Sequence, residues 1–278
     1  MITYKVSNLS NINQYLELYK RCFKNFSKNF NYLNWLYKKN PLGDYVGIDA
    51  FYNNNLIGQI GGIPYNFKFK NNILKTLVSI NICVDENYRG KKIFLNLSKK
   101  LEIHLRKKNY ELLIAIGNIK ATPAWIKSIQ MKYLCHLDAF IGFKDFSKIQ
   151  ISIKDYNLFV DWDHQMINWR CSNPLNETKM IKQNSRGLIL SNTKIPFTKV
   201  YAPHPFKAKS QFLKNIKDNN NLKIFIGLSN EINDSFFFRK IPEYLKPSPL
   251  NFLYKFLNQN YDLKKEEVFL TYLDFDAF

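Results

Sequence analysis

The sequence predicts an α/β protein in which one mixed sheet flanked by helices is built twice, in tandem. The first observation behind this fold class is a strand, a turn, a helix and a second strand between Val78 and Gly117, an order typical of a βαβ unit with parallel strands. The second is that the order of elements in the first half of the chain recurs in the second half. We therefore predict two domains, residues 1–145 and 146–278.

Before the βαβ unit, the spacing of apolar residues changes between period two and period 3.6 and is interrupted by polar turns. These patterns predict, in order, a strand at Ile2–Val6, a helix from Ile12 to Phe23, a helix around Trp35, and a β-hairpin made of Tyr45–Tyr52 and Leu56–Ile63. The first half is therefore predicted to be a mixed sheet with helices on both faces.

The βαβ unit itself is marked by three apolar patterns. Alternating apolar residues at Val78–Val84 predict a half-buried strand, and an apolar stripe along Ile93–Leu105 predicts a helix. The run Leu112–Gly117 is continuously apolar, which is typical of a strand covered on both faces. The turn of this unit is therefore Asp85–Lys92.

This turn carries the chemistry that the sequence offers. The first N–H groups of a helix have no intrahelical acceptor and lie at the positive end of the helix dipole. A glycine at this point, here Gly90, lets an anion approach the backbone closely, and Arg89, Lys91 and Lys92 add positive charge. The pattern indicates a phosphate site, although a glycine that serves only the backbone of an α/β turn would look the same.

The segment Val84–Phe94 resembles the pyrophosphate loop of the GNAT superfamily of acyl-CoA N-acyltransferases. The pattern of that loop is Arg or Gln, two residues, Gly, one residue, and then Gly or Ala. Asn87 stands in the first place, Gly90 in the central place, and Lys92 where a small residue is usual. The resemblance covers roughly residues 1–145.

Further along, Gly117 and Asn118 followed by Trp125 resemble the next strand and helix of that family. The family often has a tyrosine in this region that protonates the leaving thiolate, and this chain has Trp125 instead. The departures at Lys92 and Trp125 leave open a binding module of GNAT fold that has lost catalysis.

The resemblance implies the details of the fold and the reaction. Each domain would be a GNAT-like, mixed, mostly antiparallel sheet flanked by helices, with a splayed parallel strand pair. Acetyl-CoA or another acyl-CoA would be the co-substrate, without a metal, and an amine would attack its thioester directly. The residues expected to bind the cofactor are Ile82, Cys83, Val84, Arg89, Gly90, Lys91, Lys92, Ile93, Asn118 and Trp125.

The acceptor amine is suggested by a further resemblance. Tandem GNAT-like chains with clusters such as Asn34-Trp35 and Asn40-Pro41 are similar to acetyltransferases that modify nucleotide-linked amino sugars in surface-polysaccharide biosynthesis. The positive charge of the chain suits a substrate that bears a diphosphate. A peptide, a polyamine or a drug amine is the alternative acceptor.

His136 and Asp138 are the candidate catalytic residues. They lie in Leu134–Phe143, which is predicted as one strand just after the βαβ unit, and period two places both side chains on the same face. Such a pair suits acid–base catalysis but equally a structural ion pair. No Ser/His/Asp or Cys/His signature indicates a covalent mechanism.

The second half repeats the first with one difference. Leu33-Asn34-Trp35 and Asn40-Pro41-Leu42 are echoed by Ile167-Asn168-Trp169 and Asn173-Pro174-Leu175. The elements that follow are predicted as a strand at Phe197–Ala202, a helix at Phe206–Ile216, a strand at Leu222–Asn230, a helix at Leu250–Leu257 and a strand at Val268–Tyr272.

The junction between strand and helix in this half is Ala202-Pro203-His204-Pro205, without a glycine. Because proline removes backbone donors, we expect only the first half to bind the cofactor. We expect the degenerate second domain to contribute to the acceptor site, and we expect the chain's last residues, from Leu273 to Phe278, to offer carboxylates to the amine or to fray at the surface.

Composition excludes several other classes. The chain has 41 basic and 22 acidic residues, a net charge of +19, yet no dense block of Lys and Arg, so we do not expect nucleic-acid binding. Its four cysteines are isolated and lack metal-ligand spacing, which predicts reduced thiols. The start of the chain has no signal-peptide pattern and no apolar run is long enough for a membrane span, so we expect a cytoplasmic protein.

Overall fold

A computed structural model of the chain describes residues 1–143, 151–183, 186–193, 196–203, 222–235, 238–245 and 249–275. These residues form two compact units, which we describe separately. The first unit consists of 1–67, 73–135 and 250–262, and the second of 68–72, 136–249 and 263–278.

The described strands are β1 (Ile2–Val6), β2 (Val46–Tyr52), β3 (Asn55–Phe69), β4 (Asn72–Ser79), β5 (Cys83–Val84), β6 (Leu112–Gly117), β7 (Lys132–His136), β8 (Asp138–Gly142), β9 (Leu158–Val160), β10 (Thr178–Gln183), β11 (Arg186–Asn192), β12 (Thr198–Pro203), β13 (Leu222–Leu228), β14 (Phe238–Lys240), β15 (Asn251–Phe256) and β16 (Leu270–Thr271). The described α-helices are α1 (Ile12–Cys22), α2 (Phe30–Lys38), α3 (Ile93–Lys107), α4 (Thr122–Ile129) and α5 (His164–Cys171).

The first unit is built on a sheet of strand order β1-β2-β3-β4-β6-β15-β7, with β5 also paired to β3. β1 and β2 are antiparallel to their neighbours, whereas β4 and β6 run parallel, as a βαβ unit requires. The apolar stripe of α3, which includes Ile93, Leu97, Leu101 and Leu105, packs with the sheet and with Trp125 of α4 in one hydrophobic core. This core fixes the direction in which α3 leaves the turn at residue 92.

The strand β15 comes from the far end of the chain. It pairs antiparallel with β6, from Asn251↔Gly117 to Phe256↔Leu112, and its Leu253 and Leu257 side contributes to the core of the first unit. The predicted helix at Leu250–Leu257 is therefore wrong. The segment is apolar except at Asn251 and Lys255, and so short an apolar run does not by itself distinguish a helix from a buried strand.

The second unit contains a sheet of strand order β10-β11-β12-β13-β8-β14. Its β10, β11 and β12 are antiparallel neighbours, and β12 then runs parallel to β13, from Thr198↔Leu222 to Val200↔Ile224. Phe140 of β8 stacks on Phe238 of β14, with ring centroids 5.5 Å apart, in a core that also holds Tyr201. The sheet thus repeats the order of the first: antiparallel strands followed by a parallel pair.

Each sheet has next to its parallel pair a strand from the other half of the sequence. In the first sheet β15 lies beside β6, and in the second sheet β8 lies beside β13, antiparallel in both cases. The predicted boundary between domains at residue 145 stays a prediction, and the compact units group the chain differently. The predicted helix at 206–216 lies outside the described residues. Within the described residues, no helix has both the length and the apolar character needed to cross a membrane.

Candidate functional site

The sheet of the first unit divides where β4 ends. β4 and β6 are paired up to Ser79 and Ala115. Beyond this point β5 pairs with β3, at Gly58 and Gln59, whereas the end of β6 pairs with β15 on its other side. The parallel pair therefore opens into a gap between β5 and the end of β6, in agreement with the splayed pair that the GNAT resemblance implies.

The prediction of one continuous strand at Val78–Val84 is wrong, and the reason is Asn81. Its φ of 51° is in the left-handed region, which interrupts the pleat of an extended strand. The N–H of Ile80 still bonds to the oxygen of Gly61 on β3, at 3.2 Å. The interruption thus separates β4 from β5 and lets β5 turn away from β6.

Ser79, the last residue of β4, offers a test of whether the gap suits an extended ligand. Its side chain is 8% exposed, and its hydroxyl has no hydrogen-bond partner among the described residues. A buried polar group left unpaired costs about 1–3 kcal/mol. An unpaired hydroxyl and free strand edges fit a chain that carries amide groups, such as the pantetheine of an acyl-CoA.

The turn after β5 is held in place by Asp85. The Asp85 carboxylate accepts hydrogen bonds from the N–H of Asn87, at 3.2 Å, and from Nε of Arg21 on α1, at 2.7 Å. The N–H of Asp85 donates to the oxygen of Ile57 on β3, and Arg21 also donates to the oxygen of Leu56. The start of the turn is therefore fixed to both α1 and the sheet.

Two residues of the turn have left-handed backbones, Gly90 with φ of 77° and Lys92 with φ of 58°. A Cβ added to Gly90 would meet no atom within 4 Å, so the face of the turn at this residue is open. Lys92 is the N-cap of α3, and its oxygen accepts the first helical bond, from Asn96. The small residue that the GNAT pattern has at this place suits this conformation, which L-residues with a Cβ adopt at a cost.

The three cations of the turn are exposed. Arg89 donates from Nε to the oxygen of Val84, at 3.2 Å, and Nζ of Lys91 lies 5.1 Å from the centre of the Tyr88 ring. The Lys92 side chain makes no hydrogen bond or ion pair to a described residue. An anion at the start of α3 would therefore meet free N–H groups, the helix dipole and mobile positive side chains together.

Most of the residues predicted to bind the cofactor are brought together around the gap. Ile82, Cys83 and Val84 form the β5 edge, and residues 89–93 form the turn and the start of α3. The thiol of Cys83 is hydrogen-bonded to that of Cys22, and burial raises its pKa, so it stays protonated. Cys83 thus offers its backbone rather than a nucleophile.

Asn118 and Trp125 have different surroundings. Asn118 comes directly after β6, and its side-chain oxygen accepts a hydrogen bond from the N–H of Ala121, the residue before α4, at 2.9 Å. Trp125 is 2% exposed and packs edge-to-face against Phe94 of α3, with ring centroids 5.6 Å apart. Asn118 thus lies at the end of the strand beside the gap, whereas Trp125 belongs to the core, and a role for it in cofactor binding stays a prediction.

His136 and Asp138 do not lie on one strand. His136 ends β7 in the first sheet, and Asp138 begins β8 in the second, so the predicted single strand Leu134–Phe143 is wrong. Leu137 between them is buried and belongs to neither strand. In the first sheet β15 lies between β7 and β6, so His136 is about two strand spacings, or roughly 10 Å, from the strand that borders the gap.

The Asp138 carboxylate has two cationic partners, Nζ of Lys240 and Nζ of Lys265, each at 2.6 Å. Burial raises its pKa, but the hydrogen bonds from the two lysines outweigh burial and leave the pKa lowered. A carboxylate with a lowered pKa is a weak base. These ion pairs with lysines differ from the His136–Asp138 ion pair that the sequence left open as the alternative, and catalysis by His136 and Asp138 stays a prediction.

A chain of buried polar side chains beside β5 was not predicted. The Tyr19 hydroxyl of α1 donates to Oε1 of Gln59 and lies 2.7 Å from the Tyr37 hydroxyl of α2. Nδ2 of Asn81 donates to the Tyr37 hydroxyl at 3.0 Å. Burial raises the pKa of Tyr19 well above its usual range, so its hydroxyl remains protonated. The signals in the sequence were the tyrosines on the apolar sides of both helices and a glutamine within an apolar strand.

The second unit has no equivalent turn in its described part. β12 ends at Pro203, which has no N–H to offer, and His204 and Pro205 lie outside the described residues. The absence of a second Gly90-like turn and the number of cofactor sites therefore stay predictions.

Residues 3–121 match the family model described as acetyltransferase (GNAT) domain, which covers less than half of the chain. This match includes the Gly90 turn together with β5 and β6, the two strands that border the gap. No curated protein matches the sequence significantly.

Several solved structures share the fold over nearly the whole chain. A GCN5-related N-acetyltransferase from Anabaena variabilis ATCC 29413 superposes with a TM-score of 0.62 at 9% identity, covering 93% of this chain and 73% of that one. A conserved protein of unknown function from Enterococcus faecalis V583 gives 0.62 at 9% identity, covering 92% and 73%. Eis1 from Mycobacterium abscessus gives 0.59 at 7% identity, covering 93% and 74%. The chain therefore has the fold of GNAT proteins.

Proposed function

We propose that this protein is an acyl-CoA-dependent N-acyltransferase that moves an acyl group, most simply acetyl, to an amine. The observation that carries the proposal is the direct succession of the gap beyond Ser79 and the open turn at Gly90. The gap suits an extended chain with amide groups, and the turn suits a pyrophosphate at the start of α3. An acyl-CoA has these two parts in this order.

The residues of the chain then have distinct tasks. Residues 89–93 hold the pyrophosphate with backbone N–H groups and exposed cations. The edge of β5 and the end of β6 hold the pantetheine, and the Ser79 hydroxyl pairs with one of its polar groups. A backbone N–H of the β5 edge polarises the thioester carbonyl, as the donor of an oxyanion site does.

The acceptor must be a neutral amine when it attacks, because an ammonium has no lone pair. Its nitrogen bonds to the carbonyl carbon, the carbon–sulfur bond breaks, the thiolate leaves as the CoA product, and the nitrogen loses one proton. His136 and Asp138 remain the candidates for the proton transfer that the sequence provides. Two lysines hold Asp138 as a stable carboxylate, which makes it a weak base for this step.

We further propose that the acceptor is the amine of a nucleotide-linked amino sugar, used in surface-polysaccharide biosynthesis. The support is the resemblance of the tandem chain with its Asn-Trp and Asn-Pro clusters, together with the net charge of +19, which attracts a diphosphate. A peptide, polyamine or drug amine is the alternative acceptor within the same reaction class.

A second candidate function is a binding module that holds acyl-CoA without turnover. The observations that favour it are Trp125, which is enclosed in the core where the family often has a tyrosine acid, and the left-handed Lys92 in place of a small residue. Such a module would bind acetyl-CoA with the same residues of the turn, so binding alone does not distinguish the two functions.

The experiment that does distinguish them is an assay of acetyl-CoA with detection of free thiol, over nucleotide-linked amino sugars, spermidine, an aminoglycoside and a lysine peptide. Amine-dependent thiol release, with the acetylated product seen by mass spectrometry, is the expected result. Saturable binding of acetyl-CoA without release on any amine would favour the module. Release only with spermidine or the peptide would retain the enzyme and overturn the amino-sugar acceptor.

A further inference from the structure

Asn81 occupies a special place in the first unit. It lies between β4 and β5, at the interruption that opens the gap, and its left-handed backbone is one that asparagine adopts more readily than most residues. Its side chain is half-buried, and Nδ2 donates to the Tyr37 hydroxyl. Among the described residues, no donor lies within hydrogen-bonding distance of its Oδ1.

The direction of the hydrogen bonds beside Asn81 follows from the placement of the Gln59 amide, whose Oε1 faces Tyr19. Oε1 of Gln59 only accepts, so Tyr19 must donate its hydrogen to it. The hydrogen between the Tyr19 and Tyr37 hydroxyls must then come from Tyr37. Tyr37 is left as an acceptor toward Asn81, which meets it with its NH₂ group. Oδ1 of Asn81 is thereby turned away from Tyr37.

The hydrogen-bonded series from Gln59 to Asn81 does not relay protons. Gln59, at its inner end, has an amide that neither takes up nor releases a proton near neutral pH, and burial keeps Tyr19 protonated. A fixed set of hydrogen bonds that ends in one free carbonyl oxygen is instead a device for orienting that oxygen. Oδ1 is an uncharged acceptor, so it binds an amine N–H without stabilising the unreactive ammonium as a carboxylate would.

We propose that Oδ1 of Asn81 accepts a hydrogen bond from the acceptor amine, and that Tyr37 is a positioning residue that holds the Asn81 amide in this orientation. The proposal rests on the proposed N-acyltransferase function and names the residue that recognises the amine. Its specificity follows from the chemistry: primary and secondary amines have the N–H that Oδ1 needs, whereas carboxylates do not.

The substitution that tests the side chain is Asn81→Gly, because glycine keeps the positive φ of the interruption and removes only the amide. Tyr37→Phe tests the orientation. The matched control is Tyr45→Phe. Tyr45 lies 4.4 Å from Tyr37, ring centre to ring centre, and its buried hydroxyl has no hydrogen-bond partner among the described residues.

Calorimetry on protein saturated with CoA measures binding of the amine separately from turnover, with a nucleotide-linked amino sugar, spermidine, an aminoglycoside and a lysine peptide as probes. Loss of one hydrogen bond predicts that Asn81→Gly weakens amine binding about tenfold, and that Tyr37→Phe weakens it by a smaller factor. Both variants should keep their CoA affinity within about twofold, and Tyr45→Phe should equal the wild type in both measurements. Thermal unfolding verifies that each variant is folded.

The results separate the two proposals. An amine whose binding is weakened by Asn81→Gly, without acetyl transfer in the wild type, supports the role of Asn81 and overturns the enzyme function. Acetyl transfer with unchanged amine binding and KM in Asn81→Gly supports the function and overturns the role of Asn81. The role of Asn81 is also overturned if Asn81→Gly loses CoA and amine affinity equally, or if the wild type binds none of the amines.

Discussion

The two units of the chain have the same local structures in the same order up to the first strand of the parallel pair, β4 in the first unit and β12 in the second. Asn29 caps α2 in the first unit as Asp163 caps α5 in the second. Each helix is followed by an Asn-Pro-Leu turn in which the asparagine side chain accepts from the leucine N–H, at 3.0 Å for Leu42 and 2.9 Å for Leu175. Antiparallel strands and a parallel pair then come next in both units.

The sequences of the two units differ in the segment that comes after the first strand of the parallel pair. In the first unit the chain kinks at Asn81, pairs briefly as β5 and enters a turn with an open glycine. In the second unit β12 ends directly in Pro203. The fold and the site are therefore separable: a second run of similar elements gives a second sheet, whereas an anion site needs a few residues with special backbone conformations and free N–H groups.

Two core substitutions test whether the units depend equally on the strand that each takes from the other half of the sequence, β15 in the first unit and β8 in the second. We expect these substitutions to change stability the most. Leu253→Ala in β15 and Phe140→Ala in β8 each remove a buried side chain from the core of one unit. We expect each to lower the free energy of unfolding by about 2–5 kcal/mol, measured by urea denaturation. Ile103→Ala, at an exposed position of α3, is the control and should change it by less than about 0.5 kcal/mol. If only one of the two core variants lowered the free energy of unfolding by this amount, the other unit would not depend on its strand from the other half of the sequence.

Gly90→Asp tests the difference between the two junctions directly. A carboxylate at this open position should weaken acetyl-CoA binding by at least about a hundredfold, because it places negative charge at the start of α3 and strains a positive φ. Calorimetry on the wild type should give one acetyl-CoA per chain.

The matched control is Asn109→Asp, which adds the same charge just beyond the other end of α3, about 22 Å away along the helix, at another position of positive φ. It should bind acetyl-CoA as the wild type does. Undiminished affinity in Gly90→Asp would remove the turn from the site, and two acetyl-CoA per chain would mean that the second unit binds the cofactor despite Pro203.

The units are expected to behave alike in their pH dependence. Asp49 in the first unit and Asp274 in the second are buried carboxyls whose pKa is raised to about 6, in both cases chiefly by burial. The unfolded chain releases these protons near pH 4. Between about pH 4 and 6 the native state therefore binds more protons, and the free energy of unfolding falls as the pH rises.

Asp49→Asn and Asp274→Asn should each remove about 2 kcal/mol of this decrease between pH 4 and 7, measured by urea denaturation at each pH. The ion-paired carboxyls Glu102 and Asp138 have lowered pKa values and act in the opposite direction, below about pH 4.5. The exposed control Asp44→Asn should keep the wild-type profile. A flat profile in only one of the two variants would show that the buried carboxyls are not equivalent.

Substitutions at Lys92, where the chain departs from the GNAT pattern, should change stability and binding the least. Lys92→Gly should raise the free energy of unfolding by about 0.5–1 kcal/mol, because glycine accepts the left-handed backbone without strain. Lys92→Ala keeps that strain and removes only the ammonium. If the lysine pairs with a phosphate, both variants should weaken acetyl-CoA binding and its dependence on salt equally. Binding unchanged in both would mean that the ammonium is only solvated.

Much of the first unit could be predicted from local patterns. β1 and α3, with its apolar stripe, agree with their predicted spans, and the hairpin of β2 and β3 forms around the Asn53–Asn55 turn. In these elements the period of apolar residues and the turn residues agree, so local preference and tertiary packing favour the same structure. The Gly90 turn was predicted for the same reason, since its glycine and cations are adjacent in sequence.

The misses depend on contacts between distant residues. Tyr19, Tyr37, Gln59 and Asn81 become one chain of hydrogen bonds only after two helices and two strands pack together. The segment at residues 250–257 is a strand because β6 is its neighbour, although the alternating Phe252, Tyr254 and Phe256 are a signal of strand that the sequence did offer. The left-handed backbone of Asn81 was hidden within an alternating apolar pattern.

The pairing of β15 with β6 has a consequence for the nascent chain during synthesis. β15 pairs with β6 across more than a hundred residues of intervening chain, from Asn251↔Gly117 to Phe256↔Leu112. During translation, β6 leaves the ribosome long before β15 exists, at roughly 5–20 residues per second. For several seconds the nascent chain therefore presents β6 with an unpaired apolar edge, which is the kind of surface that chaperones bind and that aggregates when left uncovered.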